Sequence, residues 1–144
     1  MNILDLSDRE ERTLGNILRR QAEEIPDATY MMSGEQRWSF GQFNAVANSY
    51  ANGLRGLGLA AGDRVAMLMG TSPECVFTSL GCSKLGATWI PTNTDYRGPW
   101  LKSGLQDSRA RVLVADAEML PRLAEVASGL PFEFIVTNGR REVD

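Results

Sequence analysis

The run Ser83-Lys84-Leu85-Gly86-Ala87-Thr88-Trp89-Ile90-Pro91-Thr92-Asn93 leaves this chain few ways to fold. Leu85 closes an apolar helical pattern. Gly86 then falls where a left-handed cap residue is needed, a conformation that glycine alone adopts without a Cβ penalty. Ala87 to Ile90 is short and apolar, the pattern of a buried strand whose ladder stops at Pro91. A strand that follows a helix this abruptly is the second half of a βαβ unit. The first half lies upstream. Val65-Ala66-Met67-Leu68-Met69 is continuously apolar rather than alternating, as in a strand covered on both faces of a parallel sheet.

The remaining elements follow the same alternation. Thr13 caps a predicted helix to about Glu24, with Leu14, Ile17, Leu18 and Gln21-Ala22 as its inward stripe, and Pro26-Asp27 ends it. Thr29–Met32 and Arg37–Phe40 flank Ser33-Gly34-Glu35, a hairpin signal. Ser39 and Gln42 form a capping box that opens a helix to about Leu57, with Gly58 closing it. Gly62-Asp63 turns into the Val65 strand, and Thr71 or Ser72 caps a helix with Pro73 in its first turn. A helix near Trp100 to Gln106, a strand from Arg111 to Ala115, a helix capped by Asp116 and ending near Ala127, and a strand from Phe132 to Val136 complete the chain. Asn138-Gly139 reads as a turn. The order αββαβαβαβαβ predicts an α/β fold of three layers, a mainly parallel sheet with helices on both faces.

Composition narrows the chemistry. The chain has 144 residues, a hydrophobic content of 43% and a formal net charge of −3, so a packed core is within reach and nucleic acid has no electrostatic footing. No apolar run approaches the roughly 20 residues of a membrane-spanning helix. Met1 to Asp5 does not read as a signal peptide, which makes the cytoplasm the expected compartment. There is no histidine, hence no imidazole base and no Ser-His-Asp or Cys-His pair. Cys75 and Cys82 lie on one predicted helix, about 10 Å apart along its axis, too far for a disulfide. No metal site is expected from two thiols and no imidazole.

Three motifs carry a family resemblance. Lys84-Leu85-Gly86-Ala87 leading to Trp89-Ile90-Pro91-Thr92-Asn93 is similar to the (Lys/Arg)-x-Gly-Ala run and Pro-x-Asn strand end of the adenylate-forming acyl-CoA synthetases, the AMP-binding family. Trp38-Ser39-Phe40-Gly41-Gln42-Phe43 resembles the Leu-Thr-Tyr-x-Glu-Leu of that family. Gly62-Asp63-Arg64-Val65-Ala66 lies between them in the expected order. The continuation from Asn93 through Gly98 to Leu101 is similar to the carboxylate–CoA ligase branch. The resemblance covers residues 13 to 137, with residues 1–12 expected as a flexible N-terminus and 138–144 as a truncated tail. It implies the N-terminal subdomain of the synthetase large domain.

The resemblance also implies a reaction. Family members join a carboxylate to ATP as an acyl-adenylate with magnesium, then pass the acyl group to CoA. Their phosphate loop, with Thr-Gly and Pro-Lys-Gly, and their C-terminal lysine are not in this sequence. Gly70-Thr71-Ser72-Pro73-Glu74 is the nearest run and reads as a strand-to-helix turn. The expectation is therefore an N-terminal fragment of an ATP-dependent carboxylate–CoA ligase, inert alone, with no cofactor in this chain and no catalytic or metal residue. Its partners would be the rest of the synthetase chain, the carboxylic acid substrate of the complete enzyme and, through an uncovered sheet edge, a second copy of itself. The alternatives are a non-catalytic binding or oligomerisation module and the N-terminal part of a peptide-synthetase adenylation domain. One binding residue stands out. Arg97 lies beyond a strand C-terminus, where it would meet a phosphate of CoA. Against this stand Asp95 close by and the bland role of a solvated loop arginine. The bland role of Lys84 is to offset a helix C-terminus.

Overall fold

A computed structural model describes residues 7–9 and 11–139. Most of the expected flexible N-terminus (residues 1–6 and 10) and of the expected tail (140–144) lies outside the described residues.

The chain opens with α1 (Leu14–Glu24), where the Thr13 hydroxyl accepts from Asn16 N. Strands β1 (Thr29–Ser33) and β2 (Gln36–Ser39) form the antiparallel hairpin, with Gly34 left-handed at its turn. The capping box at Ser39 and Gln42 is complete and starts α2 (Phe40–Gly56). Then follow β3 (Arg64–Leu68), α3 (Pro73–Leu85), β4 (Thr88–Pro91), α4 (Gly98–Ser108), β5 (Val112–Asp116), a 3-10 turn at Ala117–Met119, α5 (Leu120–Val126) and β6 (Phe134–Asn138).

The main sheet is four-stranded and parallel throughout, in the order β4-β3-β5-β6. Alternation along its two central strands divides the core. Val65, Met67, Val112 and Val114 pack with Leu54, Leu59 and Cys82 on the face covered by α2 and α3. Ala66, Leu68, Leu113 and Ala115 pack with Leu101, Leu105 and Leu123 on the face covered by α4 and α5. A third cluster, centred on Phe43 and Phe77, joins α1, α2, α3 and the hairpin. Burial pushes the Cys82 thiol up to about 12, so it behaves as a core apolar group.

The helix–glycine–strand junction forms as its sequence dictates. Gly86 caps α3 at φ 73, and Ala87 N donates to Cys82 O at 3.0 Å. Four expectations are corrected. First, β4 is the edge of the sheet rather than a buried strand, and Trp89 stays 37% exposed because only β3 pairs with it. The ladder also runs past Pro91, since Thr92 N donates to Met67 O at 2.7 Å. A proline fits an edge because its missing N–H faces no partner. Second, Leu14 is 54% exposed; of the expected stripe Leu18 is buried, and Gly15 turns inward beside it. Third, β6 runs two residues later than expected, so Asn138 belongs to the strand. Fourth, Asp116 makes no side-chain cap of the turn that follows it.

Candidate functional site

In a sheet of this kind, ligands gather beyond the C-terminal ends of the strands, at the point where successive crossovers diverge. Here β3 sends its chain to β4 on one side, and α4 returns it to β5 on the other. By that rule the expected ligand position lies above the C-terminal ends of β3 and β5, where Gly70 and Asp116 stand. Asp116 explains its own failure to cap. One carboxylate oxygen accepts from Gly70 N at 2.7 Å, and the other accepts from Asn138 Nδ2 at 3.3 Å. It thus ties β3, β5 and β6 together at their ends. The Cys75 thiol, in the first turn of α3, is raised by burial and by the negative charge of Asp116. That thiol is not an activated nucleophile.

The Gly70-Thr71-Ser72 run does not fit a nucleotide phosphate. Its leading N–H is taken by a carboxylate, and Ser72 Oγ accepts from Cys75 N at 3.2 Å to cap α3. It is a strand-to-helix turn. Removing the carboxylate should be felt. Asp116→Ala leaves Gly70 N–H without its acceptor and is expected to cost about 1–3 kcal/mol, with Asp116→Asn retaining part of that stability. Urea denaturation checks it; equal midpoints for wild type and Asp116→Ala would contradict the tie.

Arg97 sits at the loop beyond β4, as the residue before α4. Its Nη1 donates to Thr94 O and Tyr96 O, each at 2.9 Å. Arg122, from α5, donates to the same Thr94 carbonyl. Two guanidinium groups thus converge on one neutral oxygen, and among the described residues neither has a carboxylate at ion-pair distance. The backbone N–H of Asp95 closes a turn on Asn93 Oδ1 at 2.8 Å, and its carboxylate stays in this loop as a charge opposed to an anion. Arg122 was missed from sequence because a lone arginine behind a proline, inside a short helix, carries no pattern. Lys84 is not at this end of the sheet. It closes α3 and donates to Asn44 Oδ1 of α2 at 2.6 Å.

This architecture and these motifs agree with the comparisons to known proteins. Residues 18–138 match the AMP-binding enzyme family, and the chain belongs to that family. It is 38% identical over 112 residues to a long-chain-fatty-acid–CoA ligase, FadD13, of Mycobacterium tuberculosis, covering 76% of this chain and 22% of that one. It is 33% identical over 121 residues to tyrocidine synthase 3 of Brevibacillus parabrevis, covering 84% of this chain and 2% of the synthase. The crystal structure of the N-terminal domain of FACL13 from Mycobacterium tuberculosis superposes with a TM-score of 0.82 at 32% identity, over 88% of this chain and 33% of that one. The chain thus spans about a fifth or less of the curated relatives described, and it corresponds to the N-terminal part of the adenylate-forming domain.

Proposed function

We propose that this chain is the N-terminal scaffold of an ATP-dependent carboxylate–CoA ligase, with residues 13–137 as an incomplete subdomain of the AMP-binding domain. The observation that carries the reading is the family match over residues 18–138, laid on a parallel sheet of order β4-β3-β5-β6. The first branch is taken over the peptide synthetases on the continuation from Asn93 through Gly98 to Leu101; identity is higher to the CoA ligase and coverage greater to the peptide synthetase. In this reading ATP and magnesium are held by residues outside this chain, since Gly70 and Ser72 are committed to Asp116 and to α3. The remainder of the synthetase is its partner, a carboxylic acid its substrate, and the cytoplasm its compartment. Sequencing the coding region beyond Asp144 tests it. A following Thr-Gly…Pro-Lys-Gly run is expected. A stop codon directly after Asp144 would favour a stand-alone binding or self-associating module.

Arg97 is proposed to contact a phosphate of CoA, with Arg122 beside it. The support is the pair of guanidinium groups held without a carboxylate. In the continued enzyme, Arg97→Ala is expected to raise the CoA requirement by about tenfold, the loss of one charge-assisted hydrogen bond. Adenylate formation should be unchanged. Equal losses in both half-reactions would place Arg97 in folding or at the nucleotide instead.

A further inference from the structure

At the opposite end of the sheet, where α3 turns into β4, helices α1, α2 and α3 line an open cleft of about 340 Å³. That volume is at the small end of the range for ligand clefts, about 300–1,000 Å³. Its chemistry is one-sided. Arg19 from α1, Asn48, Asn52 and Arg55 from α2, and Ser83 and Lys84 from α3 contribute to the wall, and no acidic residue lines it. Arg19 is already paired, with Glu23 at 3.1 Å and Glu11 at 3.4 Å. Lys84 and Arg55 have no carboxylate at ion-pair distance among the described residues.

Both cations make do with neutral amides. Lys84 Nζ donates to Asn44 Oδ1 at 2.6 Å, and Arg55 Nη1 donates to Asn52 Oδ1 at 3.2 Å. Lysine and arginine can only donate, so each of these amides must turn its oxygen to the cation. Each is left with an NH₂ group, a donor, and that of Asn52 belongs to the cleft wall. The wall thus offers two uncompensated positive charges and amide and hydroxyl donors. Basic residues in the last turns of α2 and α3 also offset the helix dipoles, but that role does not require Lys84 to reach across to Asn44. Burial, and then the charge of Arg19, hold the Lys84 ammonium below its ordinary range, a penalty that a bound anion would relieve.

We propose that this cleft binds the phosphate group of a small ligand, a dianion matched to Lys84 and Arg55 and oriented by Asn48 and Asn52. A dianion with several acceptor oxygens suits this wall better than a single carboxylate, because two charges and several separate donors must be met. This site is independent of the position above β3 and β5, because α3 carries the chain from one end of the sheet to the other.

The test titrates the 144-residue chain with inorganic phosphate in metal-free buffer, following the side-chain amide resonances of Asn48 and Asn52. Saturable shifts are expected. Lys84→Gln and Arg55→Gln should each weaken binding by about tenfold, while Lys102→Gln, the same charge change on α4, should leave it unaltered. A second arm uses vesicles with and without phosphatidic acid. Binding only to the phosphatidic acid vesicles, lost in Lys84→Gln, would make the phosphate that of a lipid headgroup; binding of inorganic phosphate makes it that of a free solute. Dispersed amide spectra establish that each variant is folded, and Arg55→Gln decides if Lys84→Gln is not. No saturation in either arm, or an equal loss in Lys102→Gln, would overturn the proposal.

Discussion

Gly81→Val is expected to lower the stability of this chain by about 3 kcal/mol or more, a large share of what a small domain has. A Cβ at position 81 would stand 2.9 Å from Tyr50 Cβ and 3.1 Å from Ala51 N. The second of these is backbone, so no rotamer change relieves the clash. Helices α2 and α3 would have to part, and both the Phe43–Phe77 cluster and the contact of Cys82 with the sheet depend on their approach. Valine adds a branched side chain on top of the Cβ. Thermal and urea melts read the effect, and an unchanged midpoint would mean that the two helices do not meet at position 81. Gly53 of α2 is the control. A Cβ there meets nothing within 4 Å, and Gly53→Ala should be neutral or slightly stabilising.

The second large effect is Gly86→Val, expected to cost about 2–4 kcal/mol. Two faults add at this position. Its φ of 73 is left-handed, which a β-branched residue rarely adopts, and an added Cβ would lie 3.1 Å from Ala61 Cβ. The Gly86 carbonyl also accepts from Gly62 N at 2.9 Å, so a shift of the cap would disturb the turn into β3 as well. Gly86→Asn, which tolerates the left-handed region, should recover part of the loss. A melt of Gly86→Val within error of wild type would show that the junction is not a strained cap.

These two glycines differ in how plainly the sequence announces them. Gly86 is legible because a cap is a local event, set by the helix before it and the strand after it. Gly81 sits inside a helical pattern, and sequence places it only among small residues expected to pack on the sheet. In the structure Cys82 packs on the sheet and Gly81 on α2, a distinction of about 100° around one helix that composition does not resolve. The same division runs through the sheet. Val65 to Met69 and the stretch after Arg111 read as covered strands because burial on both faces removes alternation. That β4 lies at the edge was not legible, since edge position depends on which strand pairs next, a long-range choice.

The site divides likewise. Arg97 could be singled out from its position after a strand. Its convergence with Arg122 on Thr94 could not, because the two arginines come from separate elements. Asp116 was read as a helix cap by its neighbours in sequence, yet its carboxylate reaches Gly70 and Asn138, one far upstream and one downstream. Lys84 carried a family motif and a helix-end explanation, and the cleft it lines needs α1 and α2 to exist.

In the function proposed above, this chain supplies scaffold to an adenylate-forming ligase and does not itself make the adenylate. Activation needs a phosphate cradle and cations placed against the developing charge of carboxylate and α-phosphate. Among the described residues the nearest Gly-Thr-Ser run gives no such cradle, since Gly70 N is committed to Asp116 and Ser72 to the cap of α3. ATP–pyrophosphate exchange, run with a panel of fatty and aromatic acids, measures this directly. The purified 144-residue chain is predicted to show no exchange above background with any acid, whereas the same chain continued through its downstream coding sequence should exchange. Acid-dependent exchange by the 144-residue chain alone would contradict the account, because residues assigned here to caps and core would then form an adenylation site.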